Sequence, residues 1–189
     1  MPARRKPRKK PETEYSYVEI RVDGYEASTE ASINYHVYSP QLAWDLDDDD
    51  PLYKFGTRLT ITGTAIYPED RAGETFEFTI VGSDSPSHRL NLTLKDVQKR
   101  DQRGAPEYRT YRGKQVPVYQ TPKGIALLDK VRGKRRWAAW LFVLPRFTTD
   151  VLTLLGQGRQ LYISLHEQKH ERSRWVRAWA LETKVPEDE

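Results

Sequence analysis

Residues 161–181 read LYISLHEQKHERSRWVRAWAL, and this stretch decides between a helix and a pair of strands. Apolar side chains recur at every second position at its two ends, with Leu161, Ile163 and Leu165 on one side and Trp179 and Leu181 on the other. That alternation is typical of strands with one buried face. Residues 166–174 contain no aliphatic or aromatic side chain, so a helix through them would lose its apolar stripe. The sequence therefore predicts two antiparallel strands joined by a charged turn at 166–174.

The same stretch contains the motif His-Glu-x-x-His, formed by His166, Glu167 and His170. In zinc proteases this spacing places both imidazoles on one helical face, where they bind the metal while the glutamate activates a water molecule. That chemistry needs a helix and a further ligand. Because the strand pattern disfavours the helix, a zinc metallohydrolase remains a remote alternative here, and we predict no metal site and no catalytic residue.

Strand patterns recur along the rest of the chain, for example over 17–22, 33–38, 59–67, 75–81, 90–94 and 137–144. Asp23-Gly24 is a turn signal, and Arg112-Gly113 predicts a polar hairpin of Tyr108–Tyr111 against Gln115–Tyr119. One helix is expected near 149–156, with Thr148 or Thr149 as its N-cap and Gly156 or Gly158 at its end. The sequence predicts an all-β fold, a mainly antiparallel sandwich or barrel of about nine to ten strands with one short helix.

Composition divides the chain into three parts. Residues 1–14 are predicted to form a disordered basic tail, because prolines interrupt regular structure and like charges repel. Residues 15–185 are long enough for a single β-rich domain, with a sub-boundary at 99–106. Residues 186–189 form an acidic C-terminal end.

The formal net charge of +4 conceals a strong segregation of charge along the chain. Residues 1–11 hold six basic side chains and no acidic one, and residues 12–98 hold six basic and 17 acidic side chains. Residues 99–136 hold 12 basic and three acidic side chains, whereas residues 137–189 hold seven of each. Such a distribution indicates a polyanionic partner or a self-associating surface.

Basic side chains interleaved with tyrosines suit nucleic acid, because Lys and Arg neutralise phosphates and aromatic rings stack on unpaired bases. We therefore predict a non-enzymatic binding domain that contacts DNA or RNA, without a cofactor. The alternative is a protein-interaction or assembly module in which acidic and basic regions of different copies attract each other. The predicted nucleic-acid-binding residues are Arg4, Arg5, Lys6, Arg8, Lys9, Lys10, Arg109, Tyr111, Arg112, Lys114, Lys134, Arg135 and Arg136.

Several other classes of protein are disfavoured. The chain has no cysteine, which excludes a disulfide framework, a thiolate metal site and a cysteine nucleophile. No apolar run follows the basic N-terminus and none is long enough for a membrane span, so we expect a cytoplasmic protein without a membrane partner. The acidic run Asp47–Asp50 lacks the glycine and glutamate positions of a calcium-binding loop and is predicted to be a solvated loop.

Overall fold

The computed structural model describes residues 13–33, 53–83, 94, 96–120, 122–131, 135–171 and 173–184. The basic residues 4–10, the acidic run Asp47–Asp50, Lys134 and the C-terminal residues 186–189 lie outside these ranges, as do the predicted strand at 34–38 and most of the one at 90–94. Thr13 and Glu14, which were assigned to the tail, belong to the first strand.

The described residues form a closed barrel of seven strands and a separate two-stranded hairpin, so the predicted all-β class is confirmed. The strands, in chain order, are β1 Thr13–Ile33, β2 Tyr53–Tyr67, β3 Thr75–Ser83, β4 Tyr108–Tyr111, β5 Lys114–Pro117, β6 Ala126–Lys130, β7 Arg136–Val143, β8 Tyr162–His170 and β9 Ser173–Glu182. The order around the barrel is β1-β2-β3-β7-β6-β9-β8, and β8 closes it onto β1. All neighbours are antiparallel except β3 and β7.

The barrel interior is filled by the apolar faces of its strands. Inward side chains such as Ile20, Phe78 and Leu165 are fully buried, as the period-two patterns predict. β7 lies between β3 and β6. Its outward side chains Trp140 and Phe142 are nevertheless about half exposed, because a closed barrel has solvent on its outer side.

The Asp23-Gly24 signal does not end a strand, and this prediction was wrong. β1 continues through it for 21 residues, and the register with β2 shifts between Val22 and Gly24, so that Asp23 is the extra residue of a β-bulge. Across the bulge, a Cβ atom on Gly63 would lie 2.6 Å from the carbonyl oxygen of Arg21. Asp-Gly pairs usually reverse the chain. Here Asp23-Gly24 only bends the strand, because β2 stays paired with β1 before and after the bulge.

The helix, α1, spans Pro145–Leu155 and begins a few residues before the predicted Thr148 or Thr149. Leu144 is the N-cap and Pro145 starts the first turn, where the missing N–H of proline costs no hydrogen bond. Gly156 is the C-cap, as predicted. Val151 and Leu155 are buried, and α1 packs against β3 and β2. No helix of the described residues is long and apolar enough to cross a membrane.

Candidate nucleic-acid interface

The hairpin β4–β5 displays the middle group of the predicted binding residues. Its register pairs Arg109 with Val116 and Tyr111 with Lys114, whereas Tyr108 pairs with Pro117. Directly paired residues of an antiparallel ladder share a face. Arg109, Tyr111 and Lys114 therefore lie on one face of the hairpin, together with Val116, and Tyr108 lies on the other.

The turn places a further basic residue at the tip of the hairpin. Arg112 and Gly113 have φ angles of 48° and 75°, and a type I′ hairpin turn requires positive φ at both of its central residues. The Arg112 guanidinium lies over the Tyr111 ring, 5.3 Å from its centroid. We call Arg109, Tyr111, Arg112 and Lys114 the hairpin cluster.

The hairpin cluster is open to solvent. All four residues are exposed, and no ion pair between described residues involves Arg109, Arg112 or Lys114. No residue in the range 96–120 is buried. The cluster therefore presents three uncompensated positive charges beside an accessible aromatic ring.

The base of the hairpin is tied to the segment that precedes it. The N–H of Lys99 donates to the carbonyl of Val118, and the N–H of Gln120 donates to the carbonyl of Val97. The intervening loop is closed by Asp101, whose carboxylate accepts from the N–H groups of Arg103 and Ala105. The loop Asp101–Ala105 leads into the hairpin.

Of the other predicted residues, Arg135 and Arg136 lie in the described part of the chain. Arg136 is the first residue of β7 in the barrel and Arg135 directly precedes it, while the hairpin forms its own sheet. The Arg136 guanidinium forms an ion pair with Glu77, the one described ion pair that joins the basic region 99–136 to the acidic region 12–98. Its charge is therefore partly neutralised within the molecule.

The His-Glu-x-x-His residues lie on strand β8, and the helix that a zinc protease needs is absent at this position. The predicted charged turn over 166–174 was also wrong, because pairing continues to His170 and resumes at Ser173. Only residues 171–172 connect the two strands. Among the described residues, no group of three His, Cys, Asp or Glu side chains is placed to hold a metal ion.

Glu167 explains why the strands continue through a segment without apolar residues. Its side chain points inward, is fully buried, and accepts hydrogen bonds from Arg71 at 2.8 Å and Arg174 at 2.7 Å. The Ser16 hydroxyl donates to the same carboxylate oxygen at 3.1 Å. An ion-pair network therefore occupies the inward position that an aliphatic residue would fill elsewhere in the barrel.

Aromatic rings and a second carboxylate complete this network, which we call the arginine–glutamate network. Arg71 lies 5.4 Å from the Phe76 centroid and 5.6 Å from that of Trp137, and it also pairs with Glu74 at 2.9 Å. Burial lowers the pKa of the Arg71 guanidinium, but Glu167 and Glu74 raise that pKa above its ordinary value. Arg71 is therefore a permanent cation at one end of the barrel.

A cavity of about 370 Å³ is lined by Tyr15, Ser16 and Tyr17 of β1, His166 and Glu167 of β8, and Arg177 of β9. The Tyr17 and His166 rings lie 4.9 Å apart between centroids. The Tyr17 hydroxyl is within hydrogen-bonding distance of Ser164 and Glu19, both at 3.3 Å. Burial of the phenol, together with Glu19 and Glu182, raises the pKa of Tyr17 above 10, although the Ser164 hydrogen bond opposes the rise.

Tyr17→Phe should remove a late phase, above pH 10, from the alkaline titration of the tyrosines, which is measured by the absorbance of phenolate. The fold favours the neutral phenol, so Tyr17 contributes stability below about pH 10 that is lost as the pH rises through its raised folded-state pKa. Tyr15→Phe removes an exposed phenol from the same strand and should keep the late phase, because Tyr17 is still present. A late phase that survives Tyr17→Phe would contradict this assignment.

No protein-family model matches the chain, and no curated protein or solved structure is significantly similar to it. Fold and site together define a class: a small mixed β-barrel that carries an exposed basic and aromatic hairpin. The case for a function therefore depends on the chemistry of that hairpin.

Proposed function

We propose that this protein is a non-enzymatic binding domain that contacts nucleic acid through the hairpin cluster. The observation that carries the proposal is the register of β4 and β5, which gathers Arg109, Tyr111 and Lys114 on one exposed face with Arg112 at the tip. These four were among the residues predicted from sequence. Arg135, which is exposed, and the basic residues 4–10 are kept in the proposal as additional phosphate contacts.

The charges of the cluster favour a polyanion. Arg109, Arg112 and Lys114 have no carboxylate partner among the described residues, so binding to phosphate would not require breaking an existing ion pair. Each phosphate that a cation neutralises releases counterions, and this makes affinity depend on salt. Arg136 is a weaker candidate, since it would first have to leave Glu77.

The tyrosine favours an unpaired strand over a duplex. Tyr111 is 56% exposed on the basic face and its ring stands beside two cations, where a base could stack while its phosphate is neutralised. A hairpin of this size offers few groups for reading base edges, so we expect little dependence on sequence.

Arg109→Gln combined with Lys114→Gln should reduce the salt dependence of binding to single-stranded oligonucleotides. Loss of two phosphate contacts lowers the slope of log affinity against log salt by about 1.4 for a single strand and about 1.8 for a duplex. Fluorescence anisotropy over a salt series, with RNA and DNA of several sequences, measures this slope. The matched control Arg146→Gln with Arg159→Gln removes the same charge from exposed positions near α1.

The tyrosines supply an internal comparison for stacking. Tyr111→Ala should weaken single-strand binding by about five-fold to 100-fold, the range expected for one lost base stack. Tyr108→Ala removes a similarly exposed ring from the opposite face and should change affinity much less. Binding that is undetectable at low salt, or equal losses in the hairpin and control variants, would rule out the hairpin cluster as the interface.

A further inference from the structure

Among the described residues, the second half of β1 has an open edge. β1 pairs with β8 from Thr13 to Arg21 and with β2 from Glu19 to Ile33, so it has a neighbour on both sides only between Glu19 and Arg21. The last contact with the β8 side is the hydrogen bond from the Val22 N–H to the carbonyl of Leu161. From Gly24 to Ile33, the strand pairs only with β2 among the described residues. An unpaired edge of this length is a template for another strand.

The edge lacks most of the usual protection. Natural proteins place charged side chains, above all lysine, or proline or a bulge on such edges to prevent pairing with another chain. Glu26 and Glu30 are the only charged side chains in this segment. Residues 24–33 contain no lysine, arginine or proline, and the bulge at Asp23 lies before this segment. The edge extends for about 30 Å and is exposed over most of its length.

One face of this segment is apolar as well as exposed. Tyr25, Ile33, Tyr53 and Phe55 share it, since the register pairs Ile33 with Tyr53 and Ala31 with Phe55. Their exposed fractions are 46%, 46%, 57% and 67%, respectively. The face continues the buried face of β2 at Leu59 and Ile61 beyond the end of the core. A partner that extended this sheet would find apolar side chains on one side only.

We infer that the open edge of β1 pairs with the same edge of a second copy of this chain, antiparallel and with its two-fold axis at Thr29. The sequence from Tyr25 to Ile33 is YEASTEASI, in which Glu-Ala-Ser occurs twice. About this axis Tyr25 opposes Ile33 of the second copy, Ala27 opposes Ala31, and each glutamate opposes a serine. Every apolar residue meets an apolar one and no two charges are directly opposed.

Neighbouring registers lack this complementarity. Moving the axis one residue back, to Ser28, sets Glu26 directly opposite Glu30 of the second copy, and moving it forward sets Glu30 opposite itself. Like charges in directly opposed positions destabilise a sheet. Of these three registers, only the one centred on Thr29 avoids opposed like charges, and it makes the edge complementary to itself, as a two-fold symmetric interface requires.

The inferred dimer also places two opposite charges in one cross-strand row. Ser28 pairs with Arg58 of β2 inside one copy, and Glu30 of the second copy would lie on the other side of Ser28. Such contacts add to backbone hydrogen bonds and apolar contacts, which salt does not screen. The dimer should thus persist at high salt, unlike an assembly held by the acidic and basic regions of the chain.

Single cysteines in this cysteine-free chain test the axis directly. Thr29→Cys should form a covalent dimer under mild oxidation, because directly opposed residues lie about 4.5–5.5 Å apart between Cα atoms, within disulfide range. Ala31→Cys is an equally exposed control on the same face. In the inferred dimer, the cysteines at position 31 of the two copies would be about 13 Å apart along the strands, so this variant should not cross-link.

The charge at Ser28 tests the register. Ser28→Glu should weaken the dimer and Ser28→Lys should strengthen it, since either side chain would oppose Glu30 of the second copy. Inside one copy the same changes act on Arg58 with the opposite sign, so effects on folding cannot imitate the result. Sedimentation velocity of the full chain over a concentration series at low and high salt measures both variants.

Three outcomes would overturn the inference. They are a chain that is monomeric at every concentration, a dimer that dissociates as salt rises, or equal cross-linking of Thr29→Cys and Ala31→Cys. If another segment of the chain already covers the edge, the chain will be monomeric at every concentration, which is the first of these outcomes. None of these outcomes bears on nucleic-acid binding by the hairpin cluster.

Discussion

Glu167→Gln is expected to lower the free energy of unfolding by about 3–5 kcal/mol, the usual cost of removing one partner of a buried ion pair. The substitution preserves size and shape but removes the negative charge that faces Arg71 and Arg174. Arg71 is 9% exposed and keeps only Glu74 as a partner, so its charge would be poorly compensated in the barrel. Denaturant unfolding followed by tryptophan fluorescence measures the change.

The control for this variant is Glu26→Gln, which makes the same chemical change at an exposed position of β1. Surface substitutions of this kind usually change stability by less than about 0.5 kcal/mol. A loss below about 1 kcal/mol in Glu167→Gln would show that the arginine–glutamate network is not the element that holds β8 and β9 together.

Phe78→Ala should produce a comparable loss of about 3–5 kcal/mol, because it removes a fully buried ring and leaves a cavity in the barrel. The Phe78 ring stacks with Phe76 at 6.0 Å and meets the edge of Trp179 at 6.1 Å between centroids. Both contacts would be lost together with the buried apolar area, and the shift should appear in the midpoint of thermal or denaturant unfolding.

Phe55→Ala is the matched control, since it makes the same substitution on the neighbouring strand at a side chain that is 67% exposed. Its free energy of unfolding should stay within about 0.5 kcal/mol of the parent at a protein concentration that keeps the chain monomeric. Equal losses in Phe78→Ala and Phe55→Ala would contradict the placement of Phe78 in the core and of Phe55 in solvent beyond the end of the core.

The hairpin cluster could be recognised from sequence because the signals that specify it are local. Arg112-Gly113 specifies the turn, and strand alternation on either side places Arg109, Tyr111 and Lys114 on one face. The contact of Arg136 with Glu77 could not be foreseen, because β3 and β7 become neighbours only in the folded barrel. Charge segregation along the chain therefore overstated the basic residues that remain available.

The segment 166–174 shows where local reasoning fails. Its lack of apolar side chains predicted a turn, yet Glu167 is buried at an inward position of β8. The compensating cation is Arg71, 96 residues away in the chain. A buried carboxylate and a solvated one look alike in a sequence, since the difference is the position of a distant guanidinium.

By itself, the sequence determined the β class, most strand positions, the hairpin and the end of α1, because alternation, turn residues and glycine act over a few neighbouring residues. The tertiary structure alone decided the closure of the barrel, the bulge at Asp23 in place of a turn, the burial of Glu167 and the open edge of β1. Each of these depends on which strands become neighbours, and strand neighbours are chosen by the packing of the whole barrel rather than by any one segment.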